Sequence, residues 1–504
     1  MGIVKFFAAT AIPAAALYCG VCRAEAVVHR VEVRENLAYL EPGRAEKMDL
    51  YRPADPRPGE KFPGVVVIHG GSWIGGLRNA DREINIGSNL ARMGYVAISI
   101  EYRLADRENL EKFGRAYPVN VLDCKTAVQY LRIHAAELNV DPAKIGCIGG
   151  SAGGHLAMML AVTGPGSGLE PTAPYPGVAT DIRAAVNLYG LMEFNKNCPP
   201  NRIAVMGSTP EQDPENWSKM SPNEHVTADT PPVLQVHGKA DTTVNYLQSV
   251  RMKETLDRAG VYNELVLLKG FGHAFSLQKW RGKPLPPMVR QRVLAFLDRH
   301  LKGISEAEAA ERFAALESFE KTHPEAAEYG EFSIRGATVK SVGDGEFTVS
   351  RSGGELSTGF AYDLVLEKAR RSTGDKLRDG MPVEVQGEMR KNGVIDCKRI
   401  VFRPDWKISD AFSLRWRGRL QGRRGILRRK DGGWHLQLDG AGKKISGLKM
   451  TGKTEVVECV PARRSDLRTG LRVLWMKGRN YGDLRKAFFV TLAERPPEKS
   501  EVKK

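Results

Sequence analysis

One stretch of the sequence, residues 144–160, constrains the fold more than any other. It joins a short apolar strand, a glycine-rich corner and an apolar helix around a single serine, in the letters KIGCIGGSAGGHLAMML. Residues 149–153 fit the pattern G-x-S-x-G. Small neighbours let the chain turn so sharply that the hydroxyl of Ser151 stands clear of a sheet edge. The stretch therefore predicts a reactive serine, although glycine and serine also occur in strand-to-helix loops without a chemical role.

Short apolar runs alternate with amphipathic segments on both sides of this stretch. Predicted strands lie at residues 27–40, 47–51, 65–68, 95–100, 145–148, 184–189, 233–237 and 264–268. Predicted helices lie at residues 119–133, 246–259 and 287–302. Continuous β-branched runs are typical of strands buried on both faces, and the alternation favours a mostly parallel sheet with helices on both faces. The fold class predicted for this part is therefore an α/β fold.

A serine hydroxyl becomes a good nucleophile only when a base takes its proton and a carboxylate orients that base. Asp241 follows the predicted strand at residues 233–237, and His273 lies in a glycine-flanked loop after the strand at residues 264–268. The order Ser151, Asp241, His273 is that of the α/β hydrolases, with each residue on a loop after a strand. We therefore predict these three as catalytic residues.

Other acids and histidines follow buried strands less directly. His237 lies at the end of a strand, where a structural hydrogen bond is the simpler interpretation. The remaining alternatives are Asp213, Asp229, His225 and His300.

The loop HGGSW, residues 69–73, supplies a second group of candidates. Gly70 and Gly71 can bring backbone N–H groups close to a substrate oxygen, and Ala152 begins the helix after Ser151, so the three predict an oxyanion hole. The N–H of Ser72 is an alternative donor. Trp73 either lines a substrate pocket or packs beneath it, and Trp217 belongs to a predicted cap over residues 194–217.

The first 24 residues differ from the rest. A lysine precedes an apolar run that is too short to span a bilayer comfortably and that ends in small residues, which is typical of a cleaved signal peptide. We therefore expect an exported protein with no transmembrane span after cleavage. The five cysteines beyond this segment are too few and too scattered for a disulfide framework or a metal cluster, so no metal and no cofactor are predicted.

A length of 504 residues suggests two or three domains. We expect a catalytic domain at residues 25–303, a helical linker at 304–330, β-rich domains at 331–408 and 409–496, and a tail at 497–504. An internal repeat supports two related β units, since LRDGMPVEVQG at residues 377–387 returns 90 residues later as LRTGLRVLWMKG. The units are predicted to be small barrels, with chance similarity as the alternative.

The charge is divided unevenly between these parts. Residues 331–504 hold 38 Lys and Arg against 22 Asp and Glu, which accounts for the whole formal charge of +16. Such a surface suits an anionic polymer or envelope surface. Nucleic acid is a weaker alternative because the chain is expected to be exported.

Several of these motifs together resemble one branch of the α/β-hydrolase superfamily, the hormone-sensitive-lipase-like and feruloyl or acetyl-xylan esterases, over residues 46–301. The matching stretches are HGGSWIGG, EYRLA, YPVNVLDCKTAVQYLR, DPAKIGCIGGSAGGHLA, PPVLQVHGKAD and GFGHAF. The resemblance implies a serine esterase that forms an acyl-enzyme. Ser72 departs from it, since many relatives have a third glycine there.

The reaction is better determined than the substrate. An export signal and an appended β region suit an enzyme that removes acetyl or feruloyl groups from polysaccharide. The alternatives are an arylformamidase-like or general small-ester hydrolase and, outside the enzymes, an inactive hydrolase fold that serves as a binding scaffold.

Overall fold

The structure is a computed structural model. It describes residues 28–106, 116–194, 200–343, 346–351, 354–372, 376–377, 382–389, 395–402, 422–430, 433–438, 445–449, 455–462, 466–467, 471–481 and 484–493. The predicted signal peptide and the predicted tail lie outside the described residues. Their assignments stay predictions.

The N-terminal part of the molecule is built on one eight-stranded sheet. Its strands are β1 (Val31–Leu37), β2 (Met48–Pro53), β3 (Phe62–Ile68), β4 (Val96–Ile100), β5 (Val140–Gly150), β6 (Ala184–Leu188), β7 (Val233–Gly238) and β8 (Asn263–Leu268). They lie in the order β1-β2-β4-β3-β5-β6-β7-β8. All pairs from β4 through β3 to β8 are parallel, whereas β2 runs antiparallel to β1 and β4. The predicted mostly parallel sheet is confirmed.

Helices cover both faces of this sheet. They are α1 (Asp81–Arg92), α2 (Val119–Ile133), α3 (Ala135–Leu138), α4 (Ala152–Val162), α5 (Pro200–Met206), α6 (Pro214–Lys219), α7 (Leu247–Arg258), α8 (Met288–Leu297) and α9 (Glu306–Thr322). Shorter helical turns lie at Pro222–Glu224, Asp298–Lys302 and Pro324–Ala327. Within the described ranges no helix has the length and apolar character needed to cross a bilayer.

Alternation along β3 shows how the sheet separates two apolar layers. Val66 and Ile68 belong to the cluster that contains residues of α2, α4 and α7, whereas Val65 and Val67 belong to the cluster with α1, α8 and α9. All four are fully buried. A strand with both faces covered needs apolar side chains at every position, which explains the unbroken β-branched run.

Helix α9, in the predicted linker, packs against the domain. Ser305 caps its first turn by accepting a hydrogen bond from the backbone N–H of Glu308. Phe313 and Leu316 are buried in the second apolar layer. The segment therefore covers the α/β domain as well as connecting it to the C-terminal strands.

Beyond the eight-stranded sheet the chain forms a short ribbon and a separate C-terminal β region. The ribbon pairs β9 (Lys279–Trp280) with β10 (Lys283–Pro284). The strands of the C-terminal region are β11 (Tyr329–Val342), β12 (Glu346–Arg351), β13 (Gly354–Ser372), β14 (Pro382–Met389), β15 (Ile395–Phe402), β16 (Gly422–Lys430), β17 (Gly433–Leu438), β18 (Ile445–Lys449), β19 (Glu455–Pro461), β20 (Arg472–Tyr481) and β21 (Arg485–Ala493).

Backbone pairing in the C-terminal region closes two rings of five strands. One ring is β12-β11-β20-β21-β13, completed by the β12 to β13 pairing, and the other is β15-β14-β16-β17-β18, completed by the β15 to β18 pairing. Each ring therefore contains strands from both halves of the sequence repeat. Strand pairing joins residues of 331–408 and of 409–496 in one 11-stranded sheet. The division into two β-rich domains stays a prediction.

The repeat is also visible in burial. Leu377 and Leu467, the first residues of the two repeated motifs, are both buried. The strand that begins within each motif, β14 in one half and β20 in the other, starts at positions 90 residues apart. The description as two barrel-like repeats stays a prediction.

The β region docks on the first strand of the α/β domain. The carboxylate of Glu35, in β1, accepts hydrogen bonds from the hydroxyl of Tyr481 at 2.6 Å and the ammonium of Lys486 at 3.1 Å. Arg479 lies 3.6 Å from the same carboxylate, which is only 2% exposed. The Tyr51 and Tyr481 rings pack beside it with centroids 6.0 Å apart. This contact holds the two parts together through a buried charge.

Candidate active site

The turn between β5 and α4 holds Ser151 in a backbone conformation that side-chain-bearing residues rarely adopt, with φ 58° and ψ −121°. A Cβ on Gly149 would lie 2.2 Å from the carbonyl oxygen of Gly153, and a Cβ on Gly153 would lie 2.0 Å from that of Ile68. Both glycines are therefore required by close backbone contacts. The tight turn leaves Ser151 partly exposed at the carboxyl edge of the sheet.

The structure brings the three predicted catalytic residues together. His273 Nε2 lies 2.8 Å from Ser151 Oγ, and His273 Nδ1 lies 2.7 Å from Asp241 Oδ2. Ser151 follows β5, Asp241 follows β7 and His273 follows β8. Because parallel strands end at the same edge, these loops meet although 122 residues separate Ser151 from His273.

Four donors surround the carboxylate of Asp241. The backbone N–H groups of Thr243 and Val244 donate to Oδ1 at 2.8 and 2.9 Å. His273 and His237 approach Oδ2 at 2.7 and 3.3 Å. With both oxygens held, the carboxylate has a defined orientation toward His273.

His237 was predicted to make a structural hydrogen bond, and the structure shows what it contacts. Its Nε2 lies 2.9 Å from the carbonyl oxygen of Val244 as well as beside Asp241, so Nε2 must carry a hydrogen. Its Nδ1 contacts the hydroxyl of Ser249 at 2.8 Å. The contact between His237 and Asp241 is one that the sequence did not predict.

Opposing effects act on the pKa of Asp241. Burial raises this pKa, but the hydrogen bonds from His237, His273 and the backbone of Val244 together lower it by more. The pKa of Asp241 therefore lies well below the usual range of an aspartate. The carboxylate is therefore ionised throughout the neutral range. An ionised group is what stabilises a positive charge that forms on His273.

The loop at residues 69–76 folds over Ser151. A Cβ on Gly70 would lie 3.2 Å from Ser151 Cβ, and a Cβ on Gly76 would lie 2.1 Å from the carbonyl oxygen of Gly70. Ser72 and Trp73 both have left-handed φ values, 58° and 59°. The loop is thus doubled back on itself, with Gly70 beside Ser151 and Gly71 against Gly75. Ala152 directly follows the serine.

His69 supports this loop from below. Its Nδ1 lies 2.7 Å from the carbonyl oxygen of Gly70, and its ring stacks on Tyr102 with centroids 4.4 Å apart. Burial lowers the pKa of His69 to about 4, so the ring is neutral. This agrees with the structural interpretation of the residue.

Two further residues line the underside of the site without having been predicted. The Tyr189 ring packs against His273 with centroids 4.9 Å apart. Its hydroxyl accepts a hydrogen bond from Arg82 at 3.1 Å and donates to the carbonyl oxygen of Phe275. Arg82 comes from α1, a helix that the sequence pattern did not predict. Tyr189 lies at the end of a predicted strand, and that position was the one available signal.

Trp73 and Trp217 lie in one aromatic cluster. Trp73 is 4% exposed and packs edge-on against Phe194 and His155, with centroids 5.1 and 5.2 Å apart. Trp217 is fully buried, 5.4 Å from Phe194. For Trp73 this position matches packing beneath the site. A pocket-lining role for either tryptophan stays a prediction.

Of the alternative acids and histidines, Asp229 is exposed and the others have partners elsewhere. Asp213 caps α6, His225 contacts the carbonyl oxygen of Lys219, and His300 packs between Tyr262 and Phe296. These contacts leave the three loops after β5, β7 and β8 as the place where an acid, a base and a serine meet.

The part of the chain that carries this geometry is similar to a known protein family. Residues 48–256 match the sequence model of the family described as BD-FAE. Over this range the chain is similar to the BD-FAE family. The matched range contains Ser151 and Asp241, and His273 comes shortly after it.

Two curated relatives from Mycobacterium tuberculosis are similar to the same part of the chain. "Esterase LipC" is 30% identical over 269 residues, covering 51% of this chain and 63% of its own. "Probable carboxylic ester hydrolase LipM" is 28% identical over 254 residues, covering 48% and 56%. The chain therefore spans somewhat more than half the length of these relatives.

A solved structure, the "Truncated form of carbohydrate esterase from gut microbiota", is 26% identical to this chain. It has a TM-score of 0.43 and covers 50% of this chain and 91% of its own.

Proposed function

We propose that this protein is a serine carboxylic-ester hydrolase that works through an acyl-enzyme. The observation that carries the proposal is the continuous hydrogen-bonded series from Ser151 Oγ through His273 to Asp241, with distances of 2.8 and 2.7 Å. The esterase names of the relatives LipC and LipM support the same chemistry.

In the proposed reaction His273 Nε2 takes the proton of Ser151 as Oγ bonds to the ester carbonyl carbon, and an electron pair moves to the carbonyl oxygen. Collapse of this intermediate breaks the bond to the alcohol, which leaves with the proton from His273. Water then attacks the acyl-enzyme in the same way, with His273 as base, and releases the acid and the free serine. Asp241 keeps its charge throughout.

The oxyanion would be held by backbone N–H groups of the doubled loop and of Ala152. Gly71 is exposed and lies next to Gly70, which contacts Ser151, so a substrate oxygen can approach this side. Removing one such donor typically reduces the rate about 10²- to 10³-fold. Whether Gly70, Gly71 or Ser72 donates together with Ala152 is part of the proposal.

The test is hydrolysis of p-nitrophenyl acetate by the wild type and by Ser151→Ala. We expect the substitution to reduce kcat by about 10⁶-fold, since the triad works as a unit. Ser218→Ala, which removes a partly exposed hydroxyl on α6, is the matched control and should leave the rate unchanged. A Ser151→Ala variant that retains the wild-type rate would show that Ser151 is not the nucleophile.

We also propose that the protein is exported and acts on ester-decorated polysaccharide. The signal-peptide pattern at residues 1–24 and the attached β region support this substrate class. A panel of acetylated xylan, methyl ferulate and N-formylkynurenine distinguishes it from the arylformamidase alternative. Faster turnover of N-formylkynurenine than of either ester would contradict the proposal.

A further inference from the structure

Next to His273 the chain makes a small excursion that the catalytic mechanism does not use. Residues 276–284 form a hairpin, here called the basic hairpin, in which β9 pairs antiparallel with β10. Its turn exposes Arg281, and Lys279 and Lys283 on either side are also exposed. Three cations therefore lie within five residues at the surface.

Trp280 fastens the basic hairpin to the loop of the catalytic histidine. Its indole N–H donates to the backbone carbonyl oxygen of His273 at 2.8 Å, and Trp280 also forms an isolated β-bridge with Phe275. A Cβ on Gly272 would lie 3.1 Å from the indole ring. These contacts place the hairpin directly beside the His273 loop.

The charge of this segment is one-sided. Residues 265–297 contain six Lys or Arg and no Asp or Glu. Two of the six are neutralised by carboxylates from other elements, since Arg290 pairs with Glu320 and Arg292 with Glu264. Between described residues, no ion pair involves Lys279, Arg281 or Lys283. The three cations form a local excess of positive charge within residues 1–330, whose formal charge sums to zero.

Arg281 is partly ordered by its neighbour. Its guanidinium lies over the Trp280 ring, 5.2 Å from the centroid. A guanidinium stacked on an aromatic ring keeps its N–H edge free for a carboxylate. Trp280 therefore connects the Arg281 guanidinium to the loop that carries His273.

The reaction determines which part of a substrate lies here. His273 delivers its proton to the departing alcohol, so the alcohol side of the ester must be next to His273. The acyl oxygen, in contrast, faces the loop at residues 69–76. Groups beside His273 therefore meet the alcohol part of the substrate.

We propose that the basic hairpin binds a carboxylate carried by the alcohol part of the ester, as in an acylated sugar of the uronic-acid type. This rests on the proposed esterase function and narrows its substrate class to anionic glycans. Arg281 provides the directed contact, and Lys279 and Lys283 add to the positive potential around it.

The test uses 4-acetoxybenzoate, whose alcohol part bears a carboxylate, and its neutral methyl ester. Arg281→Glu should lower kcat/KM for the anionic ester about tenfold at low ionic strength and change that for the methyl ester less than about twofold. The loss should shrink as salt rises from about 0.1 M to about 1 M, because the screening length falls from about 10 Å to about 3 Å.

Lys61→Glu is the matched control. The substitution makes the same change in charge at an exposed position. Lys61 lies immediately before β3, at the amino ends of the parallel strands, whereas Ser151 lies at their carboxyl ends. We expect no selective effect from it. A second pair of substrates, mono(4-nitrophenyl) succinate and 4-nitrophenyl butyrate, differs by a carboxylate on the acyl side. Arg281→Glu should have no selective effect on this pair.

The outcomes distinguish failure of the carboxylate site from failure of the esterase proposal. Hydrolysis of both benzoate esters, with equal loss on both in Arg281→Glu, overturns the carboxylate site and leaves the esterase proposal intact. A selective loss that Lys61→Glu reproduces also overturns it, because the effect would then be one of overall charge. Hydrolysis of p-nitrophenyl acetate but of neither benzoate ester by the wild type overturns this inference alone, whereas hydrolysis of none of the three removes the esterase proposal as well.

Discussion

Two buried carboxylates, Asp241 at the candidate active site and Glu35 at the docking contact, show how similar surroundings can serve different purposes. Asp241 is held by two histidines and two backbone N–H groups, and Glu35 by a tyrosine, a lysine and a nearby arginine. Both acids satisfy the rule that a buried charge needs donors.

The two acids differ in the other contacts that their hydrogen-bond donors make. His273, a donor to Asp241, contacts Ser151 with its other nitrogen. Tyr481 donates to Glu35, and Lys486 donates to Glu35 and to the backbone carbonyl oxygen of Val33. Burial alone therefore does not mark a reacting group. A substitution at Asp241 should mainly change the reaction rate, and a substitution at Glu35 should mainly change stability.

The largest expected effect is that of Asp241→Asn on catalysis. The amide would present its N–H to Nδ1 of His273 and favour the tautomer that carries hydrogen on Nε2, which cannot accept the proton of Ser151. We expect kcat for p-nitrophenyl acetate to fall about 10⁴-fold. Asp229→Asn, at an exposed aspartate, is the control. A loss of less than about tenfold would mean that Asp241 does not orient the base.

Glu35→Gln tests whether the carboxylate at the docking contact affects stability and not the reaction rate. The substitution leaves Lys486 without its buried counter-charge, and breaking a buried pair typically costs about 3 kcal/mol. Denaturant unfolding should show this loss in the free energy of unfolding, while kcat of the folded protein stays within about twofold of the wild-type value. Tyr481→Phe, which removes a hydrogen bond but no charge, should cost about 1 kcal/mol. A large fall in kcat without a fall in stability would reverse the roles assigned to the two acids.

Acid should reveal the charge state of Asp241. Its pKa in the folded protein is lowered relative to about 3.9 in an unfolded chain, so its ionised form stabilises the fold above about pH 4. That contribution is lost as the pH falls through the lowered pKa. The difference in unfolding free energy between wild type and Asp241→Asn should therefore be constant above about pH 5 and shrink below about pH 4. A difference that grows in acid would contradict the direction of the shift.

The smallest effect concerns backbone strain. Ser72, in the loop over the site, and Asn36, in β1 beside Glu35, have φ values of 58° and 62°. Asparagine tolerates this conformation better than serine does, so Ser72→Gly should raise the free energy of unfolding by about 0.5 kcal/mol. Asn36→Gly should not stabilise, since it also loses a contact between the Asn36 amide and Arg78. Stabilisation by both would show that strain is not particular to the site.

Much of the α/β domain could be predicted because local patterns carry the information. The β-branched run of β3 and the glycines around Ser151 reflect constraints that act within a few residues. The loops bearing Asp241 and His273 could be placed because parallel strands end at one edge. Helix α1 escaped prediction because its asparagines, glycine and scattered isoleucines give a weak helical pattern, and Arg82 was missed with it.

Contacts between distant parts of the chain leave no local sequence pattern from which they could be predicted. Glu35 and Tyr481 are 446 residues apart, and a single buried ion pair leaves no periodicity in either segment. The 90-residue repeat predicted that β14 and β20 are equivalent, but not that each pairs with a strand of the other half. Strand pairing depends on the closed rings as a whole, which local sequence does not specify.

The central claim is that Ser151 is the nucleophile, and covalent labelling tests it most directly. A fluorophosphonate ester transfers its phosphonyl group to an activated serine Oγ with loss of fluoride. Intact-mass and peptide mapping should find one phosphonyl group per chain, on the peptide containing Ser151, and none in Ser151→Ala. A wild-type protein that hydrolyses p-nitrophenyl acetate but remains unlabelled, or a label that persists in Ser151→Ala, would contradict the account.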